Sequence, residues 1–524
     1  MHKACDRNSM NGVSLEPNFV QGPPDDCGIV ASGKYVAMKA IGTETPRRSS
    51  EGTSATVTTF VVPLVVALAL LMETTDATVL ATALPLLAKD LAVPVLSLKL
   101  ALSTYLIAFA AFVPISGWLA DRHGARRIFV SALIIFLVGS ALSSMQSSLG
   151  GLVLSRAIQG AGGAMMVPVG RLIVLRGVAK TDMVRALAWV TVPALMGPAL
   201  GPFVGAIVTQ ALGWRWIFFI NLPVGLVAIG LALWLIPRVP KQAVPPLDKA
   251  GFALSAMGLG LGLFGLSFLG EQTVSPLLAL AATLVGLTIL VFYFRHVRGR
   301  DNPLLDLRLF RHHTFAVGVV TGTIFRMSGG AAAFLLPLLF QLGLGLPILV
   351  SGLLSGLFAV GGLTMRGFAP RVLDLFGFRY SLLVATLLSA LTFFGLGFIQ
   401  TAEYTLIVPL VMLSGLVQAL AFTGLNGLVF ADVSEAEMGQ ATALSAVSQQ
   451  VGLTAGIAVA SLALQMVGGW AVSGTPLLAH FPAAFWTIAV VVLIASATLL
   501  GLRPEEADDL RHRPEHSNRQ HDRV

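Results

Sequence analysis

Long apolar blocks recur from about residue 60 to residue 500, and they restrict the fold more than any other feature. Each block has about 20 residues, the length that a helix needs to cross a hydrocarbon core of about 30 Å. In that core only helices and closed barrels satisfy their backbone groups, and continuous rather than alternating apolar runs favour helices. Composition agrees, because 55% of the residues are hydrophobic and 11% are charged. The mean hydropathy is +0.82. The sequence therefore predicts an all-α integral membrane protein.

Fourteen spans are predicted, with centres near residues 71, 108, 136, 161, 197, 227, 259, 286, 328, 357, 390, 418, 454 and 490. The predicted organisation is a disordered cytoplasmic tail (1–59), a six-helix bundle (60–237), two additional transmembrane helices with a linker (238–300), a second six-helix bundle (301–502) and a cytoplasmic tail (503–524).

The basic residues of the loops are distributed unequally between the two sides of the predicted bundle. If both termini are cytoplasmic, the loops on that side carry 18 Lys and Arg residues, whereas the opposite loops carry Lys89, Lys99 and Arg215. Cytoplasmic loops are enriched in Lys and Arg, so this bias predicts that orientation. The net charge is +8, but the basic residues flank the predicted spans, and we therefore do not expect nucleic-acid binding.

An internal repeat relates two of the predicted cytoplasmic loops. The pattern D-x-x-G-x-R begins at Asp121, after span two, and again at Asp374, after span ten, 253 residues later. Two halves derived from one ancestral bundle explain this spacing. Pseudo-symmetric halves around a site near the midplane are the usual architecture of alternating-access carriers.

Four charged residues lie inside predicted spans, where charge is costly. Glu73 and Asp76 are three residues apart in span one and project from about the same helical face. Two close carboxylates disfavour simultaneous ionisation, which suits them to bind a transported proton, with Asp76 the stronger candidate. A structural ion pair is the alternative. Arg156 in span four is the natural partner, acting as a switch or as a permanent clamp, and Arg326 in span nine has no assigned partner.

Span five carries glycines at every fourth position, interrupted by prolines. These residues are Gly197, Pro198, Gly201, Pro202 and Gly205. Glycines on one helical face allow a neighbouring helix to approach closely, and prolines favour a bend. Tight packing alone accounts for the pattern. A bent, glycine-lined span between the two halves would also suit a gate or a seal.

The sequence resembles the fourteen-span drug:proton antiporters of the major facilitator superfamily. The segments that carry the resemblance are METTDATVLATALP at 72–85, GWLADRHGARR at 117–127, LVLSRAIQGAGGA at 152–164, the span-five stretch at 193–205 and WRWIFFINLPVG at 214–225. Three positions depart from the family pattern, since Ala81 stands near a usual asparagine, Ala125 at a common basic residue and Pro193 at a usual glycine.

The resemblance implies a major-facilitator fold in a cell inner membrane. It also implies that Asp76 and Arg156 take part in proton coupling, and that the span-five motif marks an exporter. A cytoplasmic gating loop, implied in the same way to stabilise one access state, comprises Gly117, Asp121, Arg122, Gly124, Arg126 and Arg127.

The predicted function is that of a proton-coupled antiporter that exports small amphipathic or cationic compounds by alternating access, as in multidrug efflux. The alternative is proton-coupled export of a specific metabolite, such as an amino acid, a sugar or a siderophore. A membrane sensor or scaffold without transport is a third hypothesis. The expected partners are protons, the small-molecule substrate and the lipid bilayer, and we expect the monomer to be functional.

We predict neither an enzyme nor a protein with a cofactor or a metal site. The G-x-G-x-x-G match at 260–265 lies inside an apolar span without a preceding strand, so it does not indicate nucleotide binding. The histidines of 503–524 are interpreted as residues of a solvated tail. Cys5 and Cys27 both precede the membrane domain and offer it neither a disulfide nor a thiolate ligand.

Overall fold

The computed structural model describes residues 28–31, 34–37, 51–177, 183–237, 245–269, 274–300, 303–434, 437–467 and 478–502. Its helices are α1 (Glu51–Asp90), α2 (Lys99–His123), α3 (Ala125–Ser144), α4 (Leu149–Gly177), α5 (Met183–Leu212), the short α6 (Trp216–Phe219), α7 (Asn221–Leu235), α8 (Lys249–Phe268), α9 (Pro276–Val297), α10 (His313–Leu338), α11 (Ile348–Phe376), α12 (Phe378–Leu396), α13 (Tyr404–Phe430), α14 (Met438–Val467) and α15 (Phe481–Thr498).

The described helices confirm an all-α membrane fold. Thirteen helical segments are long and apolar enough to cross a membrane, one of them formed by α6 and α7 together, and α5 adds a shorter apolar segment, Met196–Leu212. Each of the fourteen predicted centres lies inside a different helix. The prediction succeeds because a spanning helix must be apolar over nearly its whole length, which makes its position visible in the sequence.

The two halves of the fold follow the internal repeat closely. A shift of 253 residues carries the bounds of α2 to 352–376, and α11 is Ile348–Phe376. The same shift carries the start of α3 to the start of α12. A single glycine joins the helices in each half, and both have positive φ angles, 97° at Gly124 and 80° at Gly377. Other residues rarely adopt this conformation, so both tight turns require glycine.

The two additional helices form a closely packed pair. Gly286 of α9 approaches the backbone of Gly262 in α8 so closely that a Cβ at Gly286 would overlap it. Large apolar side chains of α9, including Leu277 and Phe292, are exposed, as expected for a surface that faces lipid. The other member, α8, packs against α2 and α14 and therefore contacts both halves.

The N-terminal region differs from the predicted tail in two places. Two antiparallel strands, β1 (Gly28–Ala31) and β2 (Lys34–Ala37), pair with Gly28 opposite Ala37. The helix α1 begins at Glu51, before the predicted boundary at residue 59. The remaining residues of 1–50, and the predicted tail after residue 502, lie outside the described part of the chain.

Candidate functional site

The candidate site is built around two carboxyl groups on α1. Glu73 and Asp76 lie one helical turn apart, and their residues are 5% and 2% exposed. A carboxylate at such depth is costly unless hydrogen bonds and opposite charge compensate it. The surroundings of the two groups differ in how much compensation they supply.

Asp76 is the centre of a polar network. Arg156 Nη1 lies 2.6 Å from Asp76 Oδ2, and both side chains are almost completely buried. The Nε2 atom of Gln159 donates to Asp76 Oδ1 at 3.0 Å, and the Nδ2 atom of Asn221 donates to the same oxygen at 2.6 Å. The predicted pairing of Arg156 with a span-one carboxylate is therefore confirmed. Three donors in fixed positions therefore converge on the two carboxylate oxygens of Asp76.

The partners of Asp76 are themselves held by neighbouring helices. Arg156 also donates to Gln159 Oε1 at 2.7 Å, and its guanidinium carbon lies 4.4 Å from the centroid of the Tyr105 ring. Asn221 donates a second hydrogen bond to Ser140 Oγ at 3.1 Å. The network thus connects α1, α2, α3, α4 and α7 inside the first half, so a change in the charge of Asp76 reaches five helices.

Glu73 has a simpler environment. The hydroxyl of Tyr105 donates to Glu73 Oε1 at 2.8 Å, and in the described part of the chain no basic group lies within ion-pair distance of Glu73. Gly163 of α4 leaves space for this contact, since a Cβ there would lie 2.8 Å from the Tyr105 hydroxyl. Ionisation of Glu73 is therefore less well compensated than ionisation of Asp76.

The glycines of α5 pack against α1 directly beside the two carboxyl residues. Each glycine faces one threonine, in the pairs Gly197–Thr74, Gly201–Thr78 and Gly205–Thr82. A Cβ on any of the three glycines would overlap the hydroxyl oxygen of its threonine. Each of the three hydroxyls donates to the backbone of its own helix, so the interface contains satisfied polar groups at close contact.

The opposite side of α5 contacts the second half. A Cβ on Gly352 of α11 would lie 2.6 Å from the carbonyl oxygen of Pro202, and would also overlap Ala206. Gln341 Nε2 donates to the carbonyl oxygen of Thr82 at 2.9 Å, which adds a contact between the halves. The helix α5 remains continuous through its prolines, and Pro198 is exposed. The structure therefore places the span-five motif between the two halves.

The predicted gating loop makes several contacts inside the first half. Arg176 of α4 lies 2.6 Å from Asp121 of α2, and Arg126 donates to the carbonyl of Leu233 in the last turn of α7. A cation near a helix C-terminus is favourable, because the last carbonyls carry partial negative charge. Arg122 lies over the Trp118 ring. The remaining predicted members of the loop are the exposed Gly117 and Arg127, and the buried Gly124.

Arg326 lies apart from this network, in the second half. It is 3% exposed, its Nη2 donates to Asn426 Oδ1 at 2.6 Å, and its guanidinium carbon is 4.8 Å from the centroid of the Phe422 ring. No ion pair to Arg326 occurs among the described residues. Arg326, to which the sequence analysis assigned no partner, is thus paired with the neutral side chain of Asn426.

Sequence reasoning did not select three members of the site. Tyr105, Gln159 and Asn221 are polar residues in apolar spans, and Gln159 and Asn221 lie in two of the segments that carry the family resemblance. Their type and position were visible, but their convergence on Glu73 and Asp76 depends on how five helices pack.

A comparison with protein families identifies the chain. The model of the Major Facilitator Superfamily matches residues 66–457, and again residues 324–521. The chain belongs to the major facilitator superfamily. Its members are transporters, and this chain is a multi-pass membrane transporter and not an enzyme.

Similar proteins agree with this assignment. The chain is 34% identical over 451 residues to the "Probable transport protein HsrA" of Haemophilus influenzae, covering 86% of the chain and 97% of that protein. It is 33% identical over 443 residues to the "Putative multidrug resistance protein MdtD" of an Enterobacter species, covering 84% of the chain and 93% of that protein. These relatives extend over most of the chain, including both repeat halves.

Solved structures support the superfamily fold. A POT family transporter in complex with 5-aminolevulinic acid has a TM-score of 0.64 at 14% identity, with 88% of this chain and 98% of that chain covered. A D-xylose-proton symporter has a TM-score of 0.60 at 18% identity, with 85% of this chain and 98% of the symporter chain covered. At these identities the likeness establishes the fold alone.

Proposed function

We propose that the protein is a proton-coupled antiporter that exports small amphipathic or cationic compounds by alternating access. The observation that carries the proposal is the buried Asp76–Arg156 pair, whose network of hydrogen bonds and a ring contact connects five helices of the first half. Protonation of Asp76 would remove the charge that holds Arg156 and would weaken the network. Proton binding at one residue would thereby change the packing of the whole half.

The two carboxyl groups have different roles in this proposal. Glu73, with one hydrogen bond from Tyr105 and no ion pair among the described residues, is a second proton-binding group, and Asp76 is the group whose charge orders the helices. A proton that moves across 100 mV releases about 2.3 kcal/mol, and this free energy would contribute to driving the transport cycle. Release of the proton on the other side would restore the pair and reset the carrier.

The glycine interface of α5 supports a seal between the halves. Through its contacts with α1 on one side and α11 on the other, α5 would transmit a change in the charge of α1 to the second half. Small residues at both contacts allow the helices to approach closely, as a seal requires.

We propose that the protein lies in the inner membrane of the cell. Both of its termini would then be in the cytoplasm. The 18 basic residues that lie in or near one set of loops, against three near the other set, support this orientation. The α2–α3 turn, with Asp121 before it and Arg126 after it, then lies on the cytoplasmic side, where it would stabilise one access state. We propose the monomer as the functional unit, since both repeat halves are present in one chain.

Purified protein in liposomes under an imposed pH gradient tests the function. The lumenal pH is followed while lipophilic cations and, in separate runs, an amphipathic sulfonate are added, first with the wild type and then with Asp76→Asn. Substrate-dependent proton movement that disappears in Asp76→Asn is the expected result. Glu403→Gln removes an exposed carboxylate that caps no helix amide, and it should behave as the wild type. Normal proton movement in Asp76→Asn would sink the proposal.

A further inference from the structure

Among the described residues of the second half, one cation is buried and no acid is. In α10 to α15 the only acidic residue is Asp374, in the last turn of α11. Arg326 is nevertheless 3% exposed, and its Nε atom has no hydrogen-bond partner within the described part of the chain. A guanidinium at that depth is costly without an anion, and a permanent structural clamp would normally include a carboxylate.

The internal repeat places Arg326 at a functional position. Glu73 and Arg326 are separated by 253 residues, the spacing that relates the α2–α3 and α11–α12 turns. The position that holds a buried acid in the first half thus holds a buried base in the second. In carriers built from repeats, the substrate site lies between the halves and near the middle of the membrane. Glu73 in α1 and Arg326 in α10 both lie near the middle of their spans, where such a site is expected.

The surroundings of Arg326 have the form of an anion subsite. Gly322, one turn earlier, leaves room for the guanidinium, because a Cβ there would lie 2.7 Å from Arg326 Nη1. The Phe422 ring contacts two guanidinium groups, Arg326 at 4.8 Å and Arg366 at 5.8 Å from its centroid. Asn426 accepts from Arg326 through Oδ1, which leaves its amide hydrogens available to a ligand.

The subsite borders accessible space. Phe422, Asn426 and Arg366 are all partly exposed, whereas Arg326 behind them is buried. A ligand that reaches these three residues would therefore approach the guanidinium of Arg326 without a rearrangement of the helix.

We propose that Arg326, with Asn426 and Arg366, binds an oxyanion group of the transported compound, such as a carboxylate or a sulfonate. The inference rests on the proposed transport function and narrows its substrates to amphipathic compounds that carry such a group. Planar guanidinium groups suit oxyanions because they donate two parallel hydrogen bonds. The apolar part of the compound would lie against Phe422.

Equilibrium dialysis with the detergent-solubilised full chain tests the subsite. The probes are naphthalene-2-sulfonate and 2-naphthyltrimethylammonium, which share a ring system and differ in charge. The affinity for the sulfonate should fall by about 10- to 100-fold in Arg326→Gln, the effect of one lost charge-assisted interaction. Arg326→Lys should keep part of the affinity. Arg298→Gln, which removes an exposed arginine after α9, should leave it unchanged.

Two outcomes would overturn the proposal of an anion subsite at Arg326. The first is that the wild type does not bind the sulfonate, and the second is that the wild type and Arg326→Gln bind it equally well. Size-exclusion chromatography shows whether each variant is folded, and Asn426→Ala serves as a second variant that should weaken sulfonate binding several-fold. Because dialysis uses no gradient, it separates the two proposals. A wild type that binds the sulfonate but moves no protons would sink the antiport function alone.

Discussion

Arg156 Nη1 lies 2.6 Å from Asp76 Oδ2, and the two side chains are 1% and 0% exposed. Each charge of this pair makes the burial of the other tolerable. Removal of one partner from a buried pair leaves an uncompensated charge, and it commonly costs about 3 to 5 kcal/mol, whereas replacement of both partners is often neutral. This asymmetry distinguishes a pair that compensates charge from two side chains that merely pack together.

The first prediction concerns stability. Arg156→Gln should lower the melting temperature in detergent, because it leaves the Asp76 carboxylate without its cation. The double variant Asp76→Asn with Arg156→Gln should melt at a higher temperature than Arg156→Gln alone. Thermal unfolding followed by size-exclusion chromatography measures both. A double variant less stable than either single variant would show that charge compensation does not govern the site.

The second prediction separates the two carboxyl groups. Glu73→Gln should keep substrate binding and lose the dependence of transport on the pH gradient, because a permanently neutral side chain mimics the protonated state. Asp76→Asn should weaken the network of Gln159 and Asn221 as well, and therefore impair both binding and transport. Substrate-exchange assays with equal pH on both sides, compared with assays under a gradient, measure the difference. The assignment of Glu73 as a proton-binding group fails if transport by Glu73→Gln responds to the pH gradient as transport by the wild type does.

The third prediction concerns the α1–α5 interface. Gly201→Ala should impair folding or transport, because its Cβ would overlap the Thr78 hydroxyl and force the helices apart. Overpacking of this kind typically costs about 1 to 3 kcal/mol. Gly230→Ala is the matched control, since nothing lies within 4 Å of a Cβ there. Folded yield and proton-coupled flux report the effect, and equal values for the two variants would contradict close packing at Gly201.

The membrane fold was predictable, whereas much of the site was not. Spans follow from local composition, and the repeat at Asp121 and Asp374 follows from a motif, so neither requires knowledge of packing. The partner of Arg156 was predictable, because few acids lie in the spans. The roles of Tyr105 and Asn221 were not, since a polar residue in a span does not indicate which helix it faces.

The final prediction concerns pH and the first turn of α8. Asp248, the N-cap residue of α8, is partly desolvated, and this desolvation by itself raises its pKa. Its hydrogen bonds from the Gly251 amide at 2.9 Å and from His296, with the nearby charge of Arg300, outweigh this and lower the pKa below 3.8. Since the pKa is lower in the folded state, the stabilisation is complete above pH 3.8 and is lost as the pH falls through the lowered value.

Hydrogen exchange of the first-turn amides measures this effect, after correction for the intrinsic pH dependence of exchange. Protection of the Gly251 amide should decrease at acidic pH, and Asp248→Ala should remove about 1 kcal/mol of local stability, as for other N-caps. The control is α9, whose cap Ser275 accepts from the Leu278 amide at 3.2 Å and does not titrate. Because only one of the two caps carries a carboxylate, acid should loosen α8 before α9, and parallel loss of protection in both helices would contradict the role of Asp248.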